Sequence, residues 1–274
     1  VKETREAIRL YNGYADGRVI MDTSIHAEYT SNEETVRGLA ALTAEEGLIM
    51  HVHVSETKLE HEECMARHNG MTPVQYFAHC GLFDTPAVAA HCVWCSDEDL
   101  DILKEKGVTV AANPVSNLKL ASGISNTARM LEKGINVAIG TDSVSSNNSL
   151  NFLEEMKVFA LIAKVKNQDP TVITPKEALK AATRNGAAAQ GRTDCGVIKE
   201  GNKADLIVLR TDVPNMHPVH NLLNNIVYSA AGSDIVMTMA DGKVLYRDGE
   251  YTTIDIERAI FEAEAATEGI LKQL

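Results

Sequence analysis

Five short apolar runs, each followed by a helical pattern, limit what this chain can become. They are RVIMDT (18–23), Leu48–His53, Ala87–Ala90, Val108–Ala112 and Asn136–Gly140. Runs that stay apolar without alternating with polar residues read as strands buried on both faces, as in a parallel sheet covered by helices. The segments between them carry helix signals. Residues 2–12 end at Gly13. Ser31 and Glu34 form a capping box for a helix to Glu46. Residues 58–68 and 73–80 are helical, Ser96 opens a helix to Lys106, and 124–133 and 151–166 follow. Thr174, Pro175 and Glu177 start another, running to about Ala187. Strand–helix alternation of this kind predicts an α/β fold, here part of a (β/α) barrel.

After about residue 195 the pattern changes. GVIKEGNKADLIVL is rich in turns before a strand, and IVMTMADGKVLYRDG is a hairpin with Asp241–Gly242 at its tip. Residues 254–273 form a terminal helix. The reading is a partial barrel over 1–194 and a small β appendage over 195–274, its last helix packing on the barrel.

Composition narrows the partners. The formal charge of -12 over 274 residues argues against a nucleic-acid backbone or an anionic membrane. No apolar stretch approaches the length of a membrane span. The cysteines, Cys64, Cys80, Cys92, Cys95 and Cys195, are an odd, uneven set that suits a reducing cytoplasm better than a disulfide framework. Cys92 and Cys95 form a CxxC without a second pair, so they are expected to pack beside a strand end.

The polar residues that follow the strands are His26, His53, Glu56, His91, Asn113 and Asp142. In a (β/α) barrel that end is the active face. Among them His53 and His91, with the carboxylates Glu56 and Asp142, suit the activation of water by a metal. Each residue also has a plainer reading. His51 and His53 share one strand face, and either is compatible with a satisfied core histidine. Of the two, His53 is preferred as a ligand because Glu56 lies beside it. Asp142 follows VAIGT, where a carboxylate needs a metal or a donor, and the Ser143 turn supplies backbone N–H groups as an alternative. Trp94 suits either stacking on a purine or packing. Lys119 suits either a surface charge or a phosphate contact. Glu154 and Glu155 read as acids of a helix start.

In order and spacing, SIHAEYTSNE, HVHVSETKLEHEE, AAHCVWCSDEDL, NPVSNLKLASGI, GTDSVSSNNSLNFLEEMK and TPKEALKAATRNGAAAQG resemble the amidohydrolase superfamily. The branch is that of the 5-methylthioadenosine/S-adenosylhomocysteine deaminases and related chlorohydrolases, and the similarity covers nearly the whole chain. The resemblance implies a zinc site with His53 and Asp142 as metal ligands, and Glu56, His91 and Asp142 as catalytic groups. It makes His26 and Glu56 substrate contacts and gives Asn117 a part in shaping the site. The implied reaction is hydrolytic deamination of an adenine nucleoside with release of ammonia. Guanine or a triazine is the alternative substrate within the superfamily, and a non-catalytic fragment is the alternative outside it.

The sequence departs from that pattern in one respect. The family's first HxH metal pair has no counterpart here, and only about strands four to eight of the barrel are visible. The expectation is therefore the C-terminal portion of a barrel whose N-terminal half is missing. Alone, it should bind zinc weakly or not at all and be inactive. A homodimer is the expected assembly by resemblance and base rate.

Overall fold

In the computed structural model, which describes residues 1–274, the five runs form one parallel sheet in sequence order. Its strands are β1 (Thr23–Ile25), β2 (Met50–Val54), β3 (Ala87–His91), β4 (Thr109–Ala112) and β5 (Val137–Ile139). Thr23 stands opposite Met50, Met50 opposite Ala87, Val88 opposite Thr109, and Val110 opposite Val137. Helices make every crossover, as parallel neighbours require.

The two faces of β2 show what the sheet is for. Met50, Val52 and Val54 are buried and share a core with Val36, Leu39 and Leu42 of the helix Glu33–Glu46. Burying one such side chain contributes about 1.5–3 kcal/mol. His51 and His53 alternate with them and line a cavity of about 410 Å³ on the opposite face. The alternation of period two thus separates the stabilising face from the face that carries polar groups.

Several local expectations change. The first strand begins five residues later than the run at 18–23, because pairing starts where the Thr23 N–H bonds the Ile49 carbonyl. Val19 and Ile20 stay exposed. The cap of the helix Glu33–Glu46 is Asn32, whose side chain accepts the Thr35 N–H at 2.8 Å, and Ser31 has no such role. The segment after β4 folds into a further helix, Pro114–Lys119, with Pro114 in its first turn. The helix expected to run to Ala187 breaks at Thr183, giving Pro175–Ala182 and Arg184–Ala189.

The second sheet is antiparallel: β6 (Leu206–Leu209), β7 (Ile235–Ala240), β8 (Lys243–Arg247) and β9 (Glu250–Tyr251). Asp241 and Gly242 join β7 to β8 with φ of 49° and 76°. Two successive positive values are what a tight two-residue hairpin turn requires. The terminal helix, Ile256–Leu271, does not pack as expected. None of its residues is buried, and Ile260, Phe261, Ile270 and Leu271 find no facing surface within this chain. No helix is long and apolar enough to cross a membrane.

Candidate active site

The strand ends converge as the spacing implied. His26, His53, His91, Asn113 and Asp142 line the same 410 Å³ cavity. At the end of β2, His53 is fixed by the preceding strand. Its Nδ1–H donates to the His26 carbonyl at 2.6 Å, and its backbone N–H donates to the same oxygen at 3.0 Å. A carbonyl only accepts, so the proton sits on Nδ1 and the lone pair of Nε2 is free. A metal-ligating histidine has this arrangement.

The chain then turns sharply. Ser55 is buried with φ of 49°. The Glu60 carboxylate gathers three successive N–H groups, those of Ser55 (3.0 Å), Glu56 (2.8 Å) and Thr57 (3.4 Å). Held in this way, Glu56 reaches across to the next strand. Its Oε2 lies 3.7 Å from His91 Nε2, and its Oε1 accepts the Ser122 hydroxyl at 3.0 Å.

His91 is buried, with a backbone φ of 72°, and Cys92 after it has φ of 47°. Left-handed backbone is unfavourable for such residues and persists where the surroundings enforce it, often at functional sites. Here two neighbours do so. His91 Nδ1 donates to Asn117 Oδ1 at 2.8 Å, which leaves Nε2 facing Glu56. The His91 and His53 rings stack with centroids 5.3 Å apart.

Asp142 is also left-handed, at φ 62°. Its Oδ2 accepts the Ser116 hydroxyl and its Oδ1 accepts the Ser143 N–H, both at 2.6 Å. The turn donor anticipated as an alternative partner is therefore present. Each oxygen keeps a second lone pair, so these bonds orient the carboxylate without exhausting it. The loop behind it is held by Glu155. Asn147 Nδ2 donates to the Thr141 carbonyl (2.7 Å) and to Glu155 Oε2 (2.8 Å), while Glu155 Oε1 accepts the Val115 N–H (2.9 Å). Glu155 is thus a buried tie between the loops after β4 and β5, more than an acid of a helix start. Burial pushes its carboxyl up, against the lowering effect of those two donors.

Sequence reasoning missed Glu60, Ser116, Ser122 and Glu155. A capping-box glutamate was legible at Thr57–Glu60. The other three act across strands, and nothing local announces them. Lys119 pairs with the Asn148 side chain and so pins the loop after β5. Trp94 donates its indole N–H to the Ser122 carbonyl at 2.8 Å.

The donor set fits a metal in kind, with one imidazole of fixed tautomer and one oriented carboxylate. In number it falls short of the three or four protein ligands usual for zinc. A tighter group, Glu28, Cys64 and His68, has donor atoms within 4.8 Å of one another. Its carboxylate is already neutralised by Arg67 at 2.5 Å and bonded to His68 at 2.6 Å. Burial pushes the Cys64 thiol up to about 12. A cation there would compete with a guanidinium, so this group is an ion-pair cluster.

The sequence and the fold both have counterparts among known proteins. The chain is 42% identical to a 5'-deoxyadenosine deaminase of Methanothermobacter thermautotrophicus, over 97% of this chain and 62% of that protein. It is 41% identical to a 5-methylthioadenosine/S-adenosylhomocysteine deaminase of Caldanaerobacter subterraneus, over 99% of this chain and 63% of that protein. The chain therefore spans a little over three fifths of the length of these relatives. The structure of a zinc-containing adenosine deaminase from Xanthomonas campestris superposes with a TM-score of 0.93 at 28% identity, covering 98% of this chain and 61% of that one. Its bound zinc agrees with a metal cofactor. Residues 1–245 match the model of the amidohydrolase family, and the chain belongs to that family.

Proposed function

We propose that this chain carries part of the active site of a zinc-dependent deaminase. Its substrates would be adenine nucleosides such as 5-methylthioadenosine and S-adenosylhomocysteine, converted to the inosine form with release of ammonia. One observation carries the reading. His53, His91 and Asp142 face one cavity, with Glu56 set against His91. The deaminase names of relatives at about 40% identity support the substrate class.

In this reading His53 and Asp142 hold the metal, which when bound supplies the acidity that makes hydroxide available near neutral pH. Asp142 takes the proton of the attacking water. His91 hydrogen-bonds the attacking oxygen through Nε2. Glu56 passes a proton to the ring nitrogen and on to the leaving amine, the proton traffic that addition to an aromatic C–NH2 carbon requires. His26, at the cavity wall, contacts the heterocycle.

We further propose that the remaining barrel strands lie outside residues 1–274. The share of the relatives' length that is matched supports this, as do the two edge strands, β1 and β5, each paired on one side only. Residues 1–194 form the catalytic part and 195–274 the appendage. The five unpaired cysteines suit a cytoplasmic setting, and a homodimer is the assembly we favour.

A substrate panel scored by ammonia release tests the assignment in the longer polypeptide. 5-methylthioadenosine should be turned over, with guanine and triazines at least tenfold slower. Turnover of triazines with none of 5-methylthioadenosine would overturn it. In the same protein, His91→Ala should cut turnover far more than zinc content, whereas loss of zinc would make His91 a ligand.

A further inference from the structure

The loop 120–125 lies outside the set of residues proposed above to do the chemistry, yet it touches that set at one point. Ser122 is buried, and its hydroxyl donates to Glu56 Oε1 at 3.0 Å. The other oxygen, Oε2, is the one 3.7 Å from His91 Nε2. The two oxygens of one carboxylate therefore have different surroundings.

The loop is clamped so that this bond is held in place. The Trp94 indole N–H donates to the Ser122 carbonyl at 2.8 Å, and the Ser125 hydroxyl donates to the Cys92 carbonyl at 3.1 Å. Gly123, between the two serines, sits at φ 130°, and a Cβ there would lie 2.8 Å from Val93 Cγ1. The loop thus closes directly on the segment that follows His91, in a conformation and a space that only glycine fits well.

We propose that Ser122 is a positioning residue that divides the labour within Glu56. It engages Oε1 as an acceptor and leaves Oε2, beside His91, as the oxygen that receives and passes on the proton. Trp94 is the anchor that keeps Ser122 there. A free carboxylate can rotate and present either oxygen. A hydroxyl fixed on one of them removes that freedom and keeps the proton path on the His91 side. The inference deepens the deaminase reading and rests on it for the proton's destination, but the clasp itself is a property of this chain.

Two measurements separate the clasp from the chemistry. On residues 1–274, Ser122→Ala should lower Tm by about 2–4 °C, the shift expected for loss of one hydrogen bond in a chain of this size. In a Glu56→Ala background the same change should have almost no further effect. Equal shifts in both backgrounds would overturn the clasp. In the longer polypeptide, Ser122→Ala should reduce kcat about tenfold with KM and zinc content unchanged, and Ser122→Thr should restore most of the rate. Trp94→Phe keeps the ring but lacks the N–H, and should reduce kcat a few-fold at constant KM. A rise in KM alone would instead make Trp94 a stacking surface for substrate and sink its anchoring role. Coupled Tm shifts with no ammonia from the wild type would refute the deaminase reading and the proton role together, while leaving the clasp standing.

Discussion

The two sheets of this molecule are built from similar strands and end in different states. In β2, Met50, Val52 and Val54 are buried and the residues between them face the cavity. In β6, β7 and β8 no residue is fully buried. The first sheet has helices laid across one face, so its apolar side chains leave water and its strand ends become fixed points. The second depends on cross-strand pairing, with little core of its own. Precise side-chain placement follows cover more than strand content. The left-handed residues His91, Cys92 and Asp142 stand at the ends of covered strands, where packing can hold an unfavourable backbone.

The contrast can be broken by mutation. Phe77 is fully buried in the helix Pro73–His79, beside Phe83. Phe77→Ala should cost about 3–5 kcal/mol in urea unfolding. Val244→Ala in β8, half-buried, should cost under about 1 kcal/mol. Similar losses would mean that the second sheet carries a core after all. A smaller effect compares two glycines. A Cβ on Gly140 would lie 2.4 Å from Asn113 Oδ1, so Gly140→Ala should cost about 1–3 kcal/mol through overpacking. Gly242 has open space around it and only its positive φ to lose, so Gly242→Ala should cost about 1 kcal/mol.

The smallest difference is one of slope with pH. Burial pushes the Glu28 carboxyl up, but its bonds to Arg67 and His68 outweigh that and hold it below the usual carboxylate range. A carboxyl lowered on folding stabilises above its unfolded value, and that stabilisation is lost as pH falls through the folded value. Unfolding midpoints should therefore drop on acidification below about pH 4, near the unfolded value. Glu28→Gln should flatten that drop, and an unchanged slope would assign the acid sensitivity elsewhere.

Much of the arrangement was legible in sequence. Apolar runs gave four of the parallel strands nearly in place, because buried strands carry little else. Period-two alternation put His51 and His53 on one face. His26, His53, His91 and Asp142 could be singled out because each stands at or just past the C-terminal end of an apolar run. The unreadable parts were those that depend on partners far along the chain. Ser122 lies 66 residues from Glu56 and Glu155 lies 40 from Val115, and neither pairing leaves a local pattern. The first strand was misplaced because Val19 and Ile20 are as apolar as a strand but lie outside the pairing register. The terminal helix was readable as a helix, but its periodicity says nothing about what faces it.

The proposed chemistry requires His53 and Asp142 to act together on one ion. Zinc content of the longer polypeptide, measured for the wild type, His53→Ala and Asp142→Ala, tests this most directly. About one zinc per chain in the wild type is expected, with severe loss in both variants. Full zinc occupancy in either variant would contradict it.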